Sequence, residues 1–305
     1  MSEVRELPVP EGLVGERVDA ALSRLLGLSR VQVTDLLAEG RIEVNGQVPT
    51  KSARLHSNDW LRVELPSPEE KPTPVVEMQI LYDDEDLVVV NKPVGVAAHT
   101  GPGWDGPTVL GNLEAAGFRI ASGGPPERQG IVQRLDVGTT GAMMVAKSER
   151  AYSVLKQAFR DRTVDKRYHA IISGHPQNLH GTVDAPIGRH PSRQWRMAVL
   201  EGGKPARTHY DVIELMPGAA LLDIGLETGR THQIRVHMAA LGHPIVGDTF
   251  YGADPVQAER LGLTRQWLHA YSVGFTHPRT EEYLEIQAPY PQDLVDALAQ
   301  LRGES

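Results

Sequence analysis

The chain has 305 residues, 40% hydrophobic and 23% charged, which is enough for one large domain and one small one of ordinary globular composition. It has no cysteine, which excludes disulfides, thiolate metal sites and cysteine nucleophiles. No apolar run approaches the length of a membrane span, and the first residues lack the pattern of a signal peptide, so a cytoplasmic protein is expected.

The formal net charge of −8 conceals an uneven distribution along the chain. Acidic residues concentrate between positions 64 and 86, whereas nine lysines and arginines fall between positions 128 and 167 and five between 189 and 207. This asymmetry permits a basic face on an acidic protein. A solvated helix surface explains the charge alone equally well.

The first elements in chain order are two short helices and a hairpin. A first helix is predicted from apolar residues with helical spacing, namely Val18, Ala21, Leu22, Leu25 and Leu26. Ser29 is a predicted N-cap of a second helix that carries Val33, Leu36 and Leu37 and ends before Gly40. A strand at 41–44, a type I′ turn at Asn45-Gly46 and a later strand at 60–63 complete this small unit.

This helix-helix-hairpin order, with its motifs at 28–30 and 40–46, resembles the RNA-binding domain named after small-subunit ribosomal protein S-four. In that family, exposed basic residues on the helices meet the RNA backbone. The resemblance therefore implies possible RNA contacts at Arg17, Arg24, Arg30, Lys51 and Arg54. The alternative is a small folding module with scattered arginines.

The segment 66–74 is rich in proline and charge, and it predicts a stiff, extended linker. We therefore expect an S-four-like domain at 1–66, a linker at 67–76 and a catalytic domain at 77–305. Strands are predicted at 86–90, 141–146, 168–172 and 220–224, and helices at 151–161, 231–240 and 292–301. Because strands and helices alternate irregularly, an α+β domain with a mixed sheet is favoured over a doubly wound parallel sheet.

Asp136 lies between an apolar segment and the turn Gly138-Thr139-Thr140-Gly141, which leads into a predicted strand. A carboxylate on such a connection can face a cleft while rigid neighbours fix its position. By itself, an aspartate before a glycine-rich turn more often bonds only to the backbone.

Four stretches in the same chain order change this interpretation, at 87–95, 130–141, 166–170 and 227–252. Together they resemble the RluA/RluC/RluD family of pseudouridine synthases, and most closely its RluD-like members that act on large-subunit ribosomal RNA. The resemblance implies the pseudouridine synthase fold, a mixed and largely antiparallel sheet, behind a small N-terminal α/β S-four-like domain. It also implies an isomerase that converts uridine to pseudouridine in RNA.

The resemblance assigns roles to four residues. Asp136 matches the essential catalytic aspartate, and Tyr168 matches a tyrosine that stacks on the target uracil. Arg230 matches an arginine that pairs with the aspartate, for which a structural ion pair is the alternative. Arg134 matches an arginine that enters the space left by the flipped base, for which a phosphate contact or a surface position is the alternative. Carboxylate chemistry of this kind requires no metal and no cofactor.

Gln133 departs from the family pattern, which usually has histidine before Arg-Leu-Asp. Glutamine keeps hydrogen-bonding capacity but cannot carry a positive charge. Gln133 is therefore a possible RNA contact, and any phosphate contact or pH response that depends on a histidine is in doubt.

Three other interpretations compete with this one, and the third is a serious alternative. The glycines at 101–106 have the spacing of a dinucleotide-binding motif, but no predicted strand and helix flank them directly, as that motif requires. His232 and His237 are five residues apart, so they do not share a helical face as metal ligands would. A non-catalytic RNA-binding or ribosome-assembly protein would keep the basic face without needing Asp136.

The attached S-four-like domain is typical of family members that act on large-subunit ribosomal RNA. The expected partner is therefore that RNA or its assembly intermediate, with transfer RNA or dual specificity as the alternative. A monomer without membrane contact is expected.

Overall fold

The computed structural model describes residues 3–65, 74–101, 103–193 and 195–304. It divides into two compact units, Met1–Pro72 and Thr73–Ser305. The stiff linker predicted at 66–74 lies outside the described residues except for Pro74.

The N-terminal unit folds as two helices and a three-stranded antiparallel sheet in the order β1-β3-β2. Its elements are β1 (Glu3–Pro8), α1 (Val18–Leu26), α2 (Arg30–Ala38), β2 (Ile42–Val44) and β3 (Trp60–Leu65). The apolar stripe of α1 and the inward face of β3 share one core, in which Leu22, Val33 and Leu61 are fully buried. Both predicted helices are confirmed.

Local chemistry fixes the ends of these elements. The Ser29 side chain accepts from the backbone of Gln32, whose own side chain accepts from Ser29 N–H, so the two form a capping box. Gly40 follows α2 with φ +70°, as the predicted C′ position requires. Asn45 and Gly46 both have positive φ (53° and 75°), which confirms the two-residue turn.

The second unit contains one large sheet flanked by helices. The strands of this unit are β4 (Gln79–Asp83), β5 (Leu87–Lys92), β6 (Thr140–Ala146), β7 (Asp165–Ser173), β8 (His180–Asp184), β9 (Ile187–Arg189), β10 (Met197–Val199), β11 (Arg207–Met216), β12 (Ala219–Leu226), β13 (Leu268–Thr276) and β14 (Tyr283–Gln287). Of these, β9 and β10 pair with each other in a separate two-stranded antiparallel sheet. Its helices are α3 (Val109–Ala115), α4 (Glu149–Asp161), α5 (Gln233–Ala240), α6 (Pro255–Arg260) and α7 (Gln292–Arg302).

Among the described residues, the large sheet runs in the order β4-β5-β6-β13-β7-β12-β11-β8, and β14 pairs with β13 as a branch. Strand pairs in it are antiparallel except β6 with β13, which run parallel. The predicted mixed, largely antiparallel α+β fold is confirmed. The strands predicted at 86–90, 141–146, 168–172 and 220–224 lie in β5, β6, β7 and β12.

Both faces of the sheet are covered at β5. Val88 and Val90 enter one core cluster, while Leu87 and Val89 enter another that Leu155 of α4 completes. In a strand that is buried on both faces, consecutive residues are all apolar, whereas a half-buried strand alternates apolar and polar residues. This is why residues 87–90 show no polar alternation.

One predicted boundary is wrong at the start of α5, which begins at Gln233 and not at 231. His232 precedes it with φ +57°, a left-handed conformation that a continuing helix cannot adopt. The predicted helices at 151–161 and 292–301 lie in α4 and α7. None of the helices described is both long enough and apolar enough to cross a bilayer.

Candidate active site

Asp136 lies in the loop that leads into β6. Leu135 before it is buried in the core, and Thr139 N–H donates to the Asp136 carbonyl at 3.0 Å to close the turn. The Asp136 carboxylate is 27% exposed and lines a cavity of about 970 Å³. The loop therefore presents a carboxylate to a cavity from a backbone anchored in the core.

Arg235 is the cation that approaches this carboxylate. Its Nη1 lies 3.5 Å from Asp136 Oδ2, while its Nε and Nη2 donate to Asp248 at 2.6 and 2.9 Å. The guanidinium also lies over the ring of Tyr251, 4.9 Å from its centre. Arg235 is nearly buried on the first turn of α5, and the Asp248 bonds raise its pKa against the cost of burial.

The predicted pairing of Arg230 with Asp136 is wrong. Arg230 lines the same cavity, but its Nε donates to the carbonyl of Pro205 at 3.0 Å, and its backbone N–H donates to Gln233 at 3.0 Å. The physical reason is that Arg230 belongs to the turn before α5, whereas Arg235 belongs to the helix face that meets the Asp136 loop.

His232 is a second neighbour of Asp136 that the sequence interpretation did not assign. Its Nε2 lies 3.8 Å from Asp136 Oδ2, and its Nδ1 is 2.8 Å from the Tyr251 hydroxyl. Burial lowers the pKa of His232, and the charge of Asp136 opposes that shift. A non-glycine residue held at φ +57° beside a carboxylate is a strained position of the kind found at functional sites.

His237, the other histidine weighed as a metal ligand, is a core residue. Its Nδ1 is 2.9 Å from Thr208 Oγ1, and its Nε2 is 2.9 Å from the carbonyl of Ala185. Both ring nitrogens therefore have protein partners.

Tyr168 lies on β7 and lines the cavity with the apolar side chains of Leu226 and Leu268. Burial raises the pKa of the Tyr168 hydroxyl, and the charge of Asp136 raises it further. The phenol is therefore neutral at physiological pH, and its ring offers an apolar surface to a base.

Arg134 and Gln133 both line the cavity. Arg134 is exposed, whereas Gln133 is half-buried and its Nε2 has no hydrogen-bond partner among the described residues. An unsatisfied buried amide is uncommon and is usually completed by water or a ligand.

Lys92 is another site residue that the sequence interpretation quoted but did not assign. It is fully buried at the end of β5, and its Nζ donates to the carbonyls of Pro93, Val96 and Val137 at 2.9, 2.8 and 3.4 Å. Burial lowers the pKa of Lys92 to about 7, against the attraction of Asp136. Lys92 thus ties the residue after Asp136 to β5.

The predicted RNA-contact residues of the N-terminal unit are all exposed. Arg17 pairs with Asp19 at 2.9 Å and Arg24 pairs with Glu16 at 2.9 Å, while Arg54 donates to the carbonyl of Gly15. Arg30 and Lys51 have no ion pair with any residue that the structure describes.

The cavity is strongly cationic although the protein is acidic. Two carboxylates line it, Asp136 and Glu227, against eight lysines and arginines, which leaves a formal excess of six positive charges. The cations are Arg128, Arg134, Lys156, Arg160, Arg162, Lys166, Arg230 and Arg235. A concave site with this excess attracts a polyanion, and its carboxylate can act on what enters.

Comparison with known proteins shows the family of the chain. The family model described as "RNA pseudouridylate synthase" matches residues 86–240, and the "S4 domain" model matches residues 16–61. An uncharacterized RNA pseudouridine synthase of Mycobacterium bovis is 57% identical over 304 residues, covering 98% of this chain and 99% of that protein. The ribosomal large subunit pseudouridine synthase D of Nitrosomonas europaea is 38% identical over 307 residues, covering 98% of this chain and 88% of that protein.

Among solved structures, the human RNA Pseudouridylate Synthase Domain Containing 1 is similar, with a TM-score of 0.58 and 31% identity. The match covers 72% of this chain and 86% of the human one. With the family model and full-length relatives in agreement, the chain belongs to the RNA pseudouridine synthase family, isomerases that act on RNA.

Proposed function

We propose that this enzyme isomerises uridines of large-subunit ribosomal RNA and that Asp136 is its catalytic carboxylate. The observation that carries the proposal is the position of Asp136, a carboxylate beside Arg235 in a cavity with six excess positive charges. The relatives named ribosomal large subunit pseudouridine synthase D, 38% identical in Nitrosomonas europaea and 39% in Vibrio parahaemolyticus, support the RNA class.

The reaction is an isomerisation, so it needs no oxidant and no external group donor. The bond from ribose C1′ to uracil N1 breaks, a bond from C1′ to C5 forms, the C5 proton is lost and N1 gains a proton. The base is unreachable inside a helix and has to be flipped into the cavity. Attack on C1′, attack on the ring and removal of a ribose proton remain three routes for the carboxylate.

Each neighbour has a proposed part in this reaction. Arg235 holds the Asp136 carboxylate in position through the guanidinium nitrogen that lies 3.5 Å from it. The ring of Tyr168 supports the flipped uracil by stacking. Arg134 fills the space that the base leaves in the RNA. Arg230, which lines the same cavity, contacts the substrate.

The N-terminal residues and Gln133 have a secondary part. Arg30 and Lys51 are the favoured phosphate contacts of residues 1–66, because Arg17 and Arg24 already have carboxylate partners. Gln133 Nε2, which has no hydrogen-bond partner among the residues described, supports a contact with RNA in place of the usual histidine. Such an enzyme meets its substrate in the cytoplasm.

Release of tritium from carbon-5-labelled uridine in ribosomal RNA tests the chemistry. Wild-type protein is expected to release tritium, and Asp136→Asn is expected to release none while it still binds RNA. An Asp136→Asn protein as active as wild type would remove Asp136 from its proposed role.

Mapping of pseudouridines in a strain that lacks the gene tests the RNA class. At least one site in large-subunit ribosomal RNA is expected to revert to uridine. If every ribosomal site persists and a transfer RNA site is lost, the substrate is transfer RNA.

A further inference from the structure

Five of the cations that line the cavity form a group that we call the basic wall: Arg128, Lys156, Arg160, Arg162 and Lys166. They come from separate segments of the chain. Lys156 and Arg160 lie one turn apart on α4, Arg162 caps that helix in a left-handed conformation (φ +63°), and Lys166 lies on β7. Arg128 ends a short 3₁₀ turn before the Asp136 loop.

The basic wall has little compensating negative charge. Within the parts of the chain that the structure describes, Lys156, Arg160 and Lys166 form no ion pair. In the described part of the chain, the ion pairs of Arg128 and Arg162 are long, at 3.7 Å to Glu127 and 3.6 Å to Glu227.

The same cations repel one another. Burial lowers the pKa of Lys156, and the charges of Arg128 and Arg160 lower it further. Burial and the charge of Arg162 likewise lower the pKa of Lys166. Like charges held together in this way oppose folding, so the arrangement calls for an anionic partner outside the chain.

A solvated helix end explains only part of this pattern. Lys156 and Arg160 lie toward the C-terminus of α4, where the helix dipole favours cations. The dipole does not account for Arg128 and Lys166, which belong to other elements and converge on the same cavity. Elsewhere in the described structure, arginines meet carboxylates closely, as Arg265 meets Asp293 at 2.8 Å and Arg302 meets Glu214 at 2.7 Å.

We propose that the basic wall binds the backbone phosphates of the RNA strand next to the flipped uridine. The inference rests on the proposed function, because it assigns a second contact to the same cavity. Lysine and arginine side chains bind backbone phosphates, and such contacts carry no information about the base sequence. The basic wall therefore strengthens RNA binding and aligns the RNA strand in the cavity, but it does not select the base.

The test is the salt dependence of binding to poly(uridylic acid), measured by filter binding with the full-length protein. The double variant Lys156→Gln/Arg160→Gln removes two charges from exposed positions, and Arg260→Gln removes one exposed arginine from α6, outside the cavity. For single-stranded RNA each lost phosphate contact reduces the slope of log K against log salt by about 0.7. The magnitude of this slope is expected to be smaller by about 1.4 in the double variant than in wild type. The affinity of the double variant at low salt is expected to be on the order of tenfold weaker.

The control Arg260→Gln is expected to keep the wild-type slope. The proposal is overturned if the double variant has the same slope as wild type. It is also overturned if Arg260→Gln reduces the slope by as much, per charge removed, as the double variant does. Tritium release from ribosomal RNA adds a second readout, in which the double variant is expected to raise KM by a larger factor than it lowers kcat.

The two proposals fail in different ways. If wild type is inactive on ribosomal RNA but the double variant loses slope, the substrate assignment fails and the basic wall stands. If wild type is active and the slope is unchanged, the function stands and the basic wall fails. If wild type does not bind poly(uridylic acid), the basic wall fails.

Discussion

Arg235 is the residue on which the position of Asp136 depends most directly. Two of its nitrogens hold Asp248, which leaves Nη1 directed at Asp136. Because a guanidinium is planar, the bidentate contact with Asp248 fixes the direction of the third nitrogen. A lysine at this position has one nitrogen and cannot serve both carboxylates.

Arg235→Lys is therefore expected to lower the rate of tritium release by roughly 100-fold under single-turnover conditions, because the carboxylate loses its fixed position. A thermal melt checks that the variant folds, since Arg235 is nearly buried. The matched control is Arg230→Lys, for which a much smaller loss is expected. The reverse order of effects would restore Arg230 as the partner of Asp136.

The parallel pairing of β6 with β13 determines where the Asp136 loop ends. His269 and Ala270 of β13 lie opposite Thr140 and Gly141, the first two residues of β6. Gly141 has φ +115°, and a Cβ there would collide with the backbone of Ala270. The two strands approach this closely only because residue 141 is glycine.

Gly141→Ala is expected to lower the free energy of unfolding by at least about 3 kcal/mol, since backbone strain and a backbone collision add together. Gly218→Ala is the control, because Gly218 also has positive φ (+69°) but faces open space. Strain alone costs about 1–2 kcal/mol there. Guanidinium unfolding measures both variants, and equal losses would show that the close strand approach does not matter.

The ability of the whole molecule to bind RNA depends on how its charges are distributed in space and not on its net charge. A net charge of −8 coexists with a cavity that carries a formal excess of six positive charges. Affinity for RNA depends on the charges within reach of its phosphates, because salt screens more distant ones. The overall acidity is therefore compatible with an RNA substrate.

Stability in acid is also a property of the whole molecule. Burial lowers the pKa of four histidines, His169, His232, His237 and His269, and that of His269 falls to about 4. His269 is fully buried between Thr140 Oγ1 (2.8 Å) and the carbonyl of Ala288 (3.1 Å). Its folded pKa lies below the unfolded value near 6.5, so the unfolded state binds more protons between pH 6.5 and 4.

The contribution of these histidines to the free energy of unfolding is therefore expected to be constant above about pH 7 and to fall as the pH drops through 6.5. His269 alone contributes about 2 kcal/mol of this loss between pH 7 and pH 5. Guanidinium unfolding at the two pH values checks it, with His269→Gln expected to show a correspondingly smaller difference. An equal pH dependence in both proteins would mean that His269 is protonated in the fold.

The sequence by itself determined the features that depend on neighbouring residues. The Ser29 cap, the Asn45-Gly46 turn and the apolar run of β5 are local, because each follows from contacts or periodicity within a few positions. Motifs in a fixed chain order also determined the family, and with it the candidate roles of Asp136 and Tyr168. The fold class followed from the same motifs.

Only the tertiary structure decided which cation meets Asp136. Arg230 and Arg235 lie in one motif, and the contact with Asp136 joins residues 99 positions apart. Such a contact depends on the direction of α5, which His232 sets through its left-handed backbone. The role of Lys92 was hidden for the same reason, because burial of a single lysine leaves no periodic signal in the sequence. The cations between positions 128 and 167 were visible in the sequence, but only the fold decided that five of them converge on the cavity.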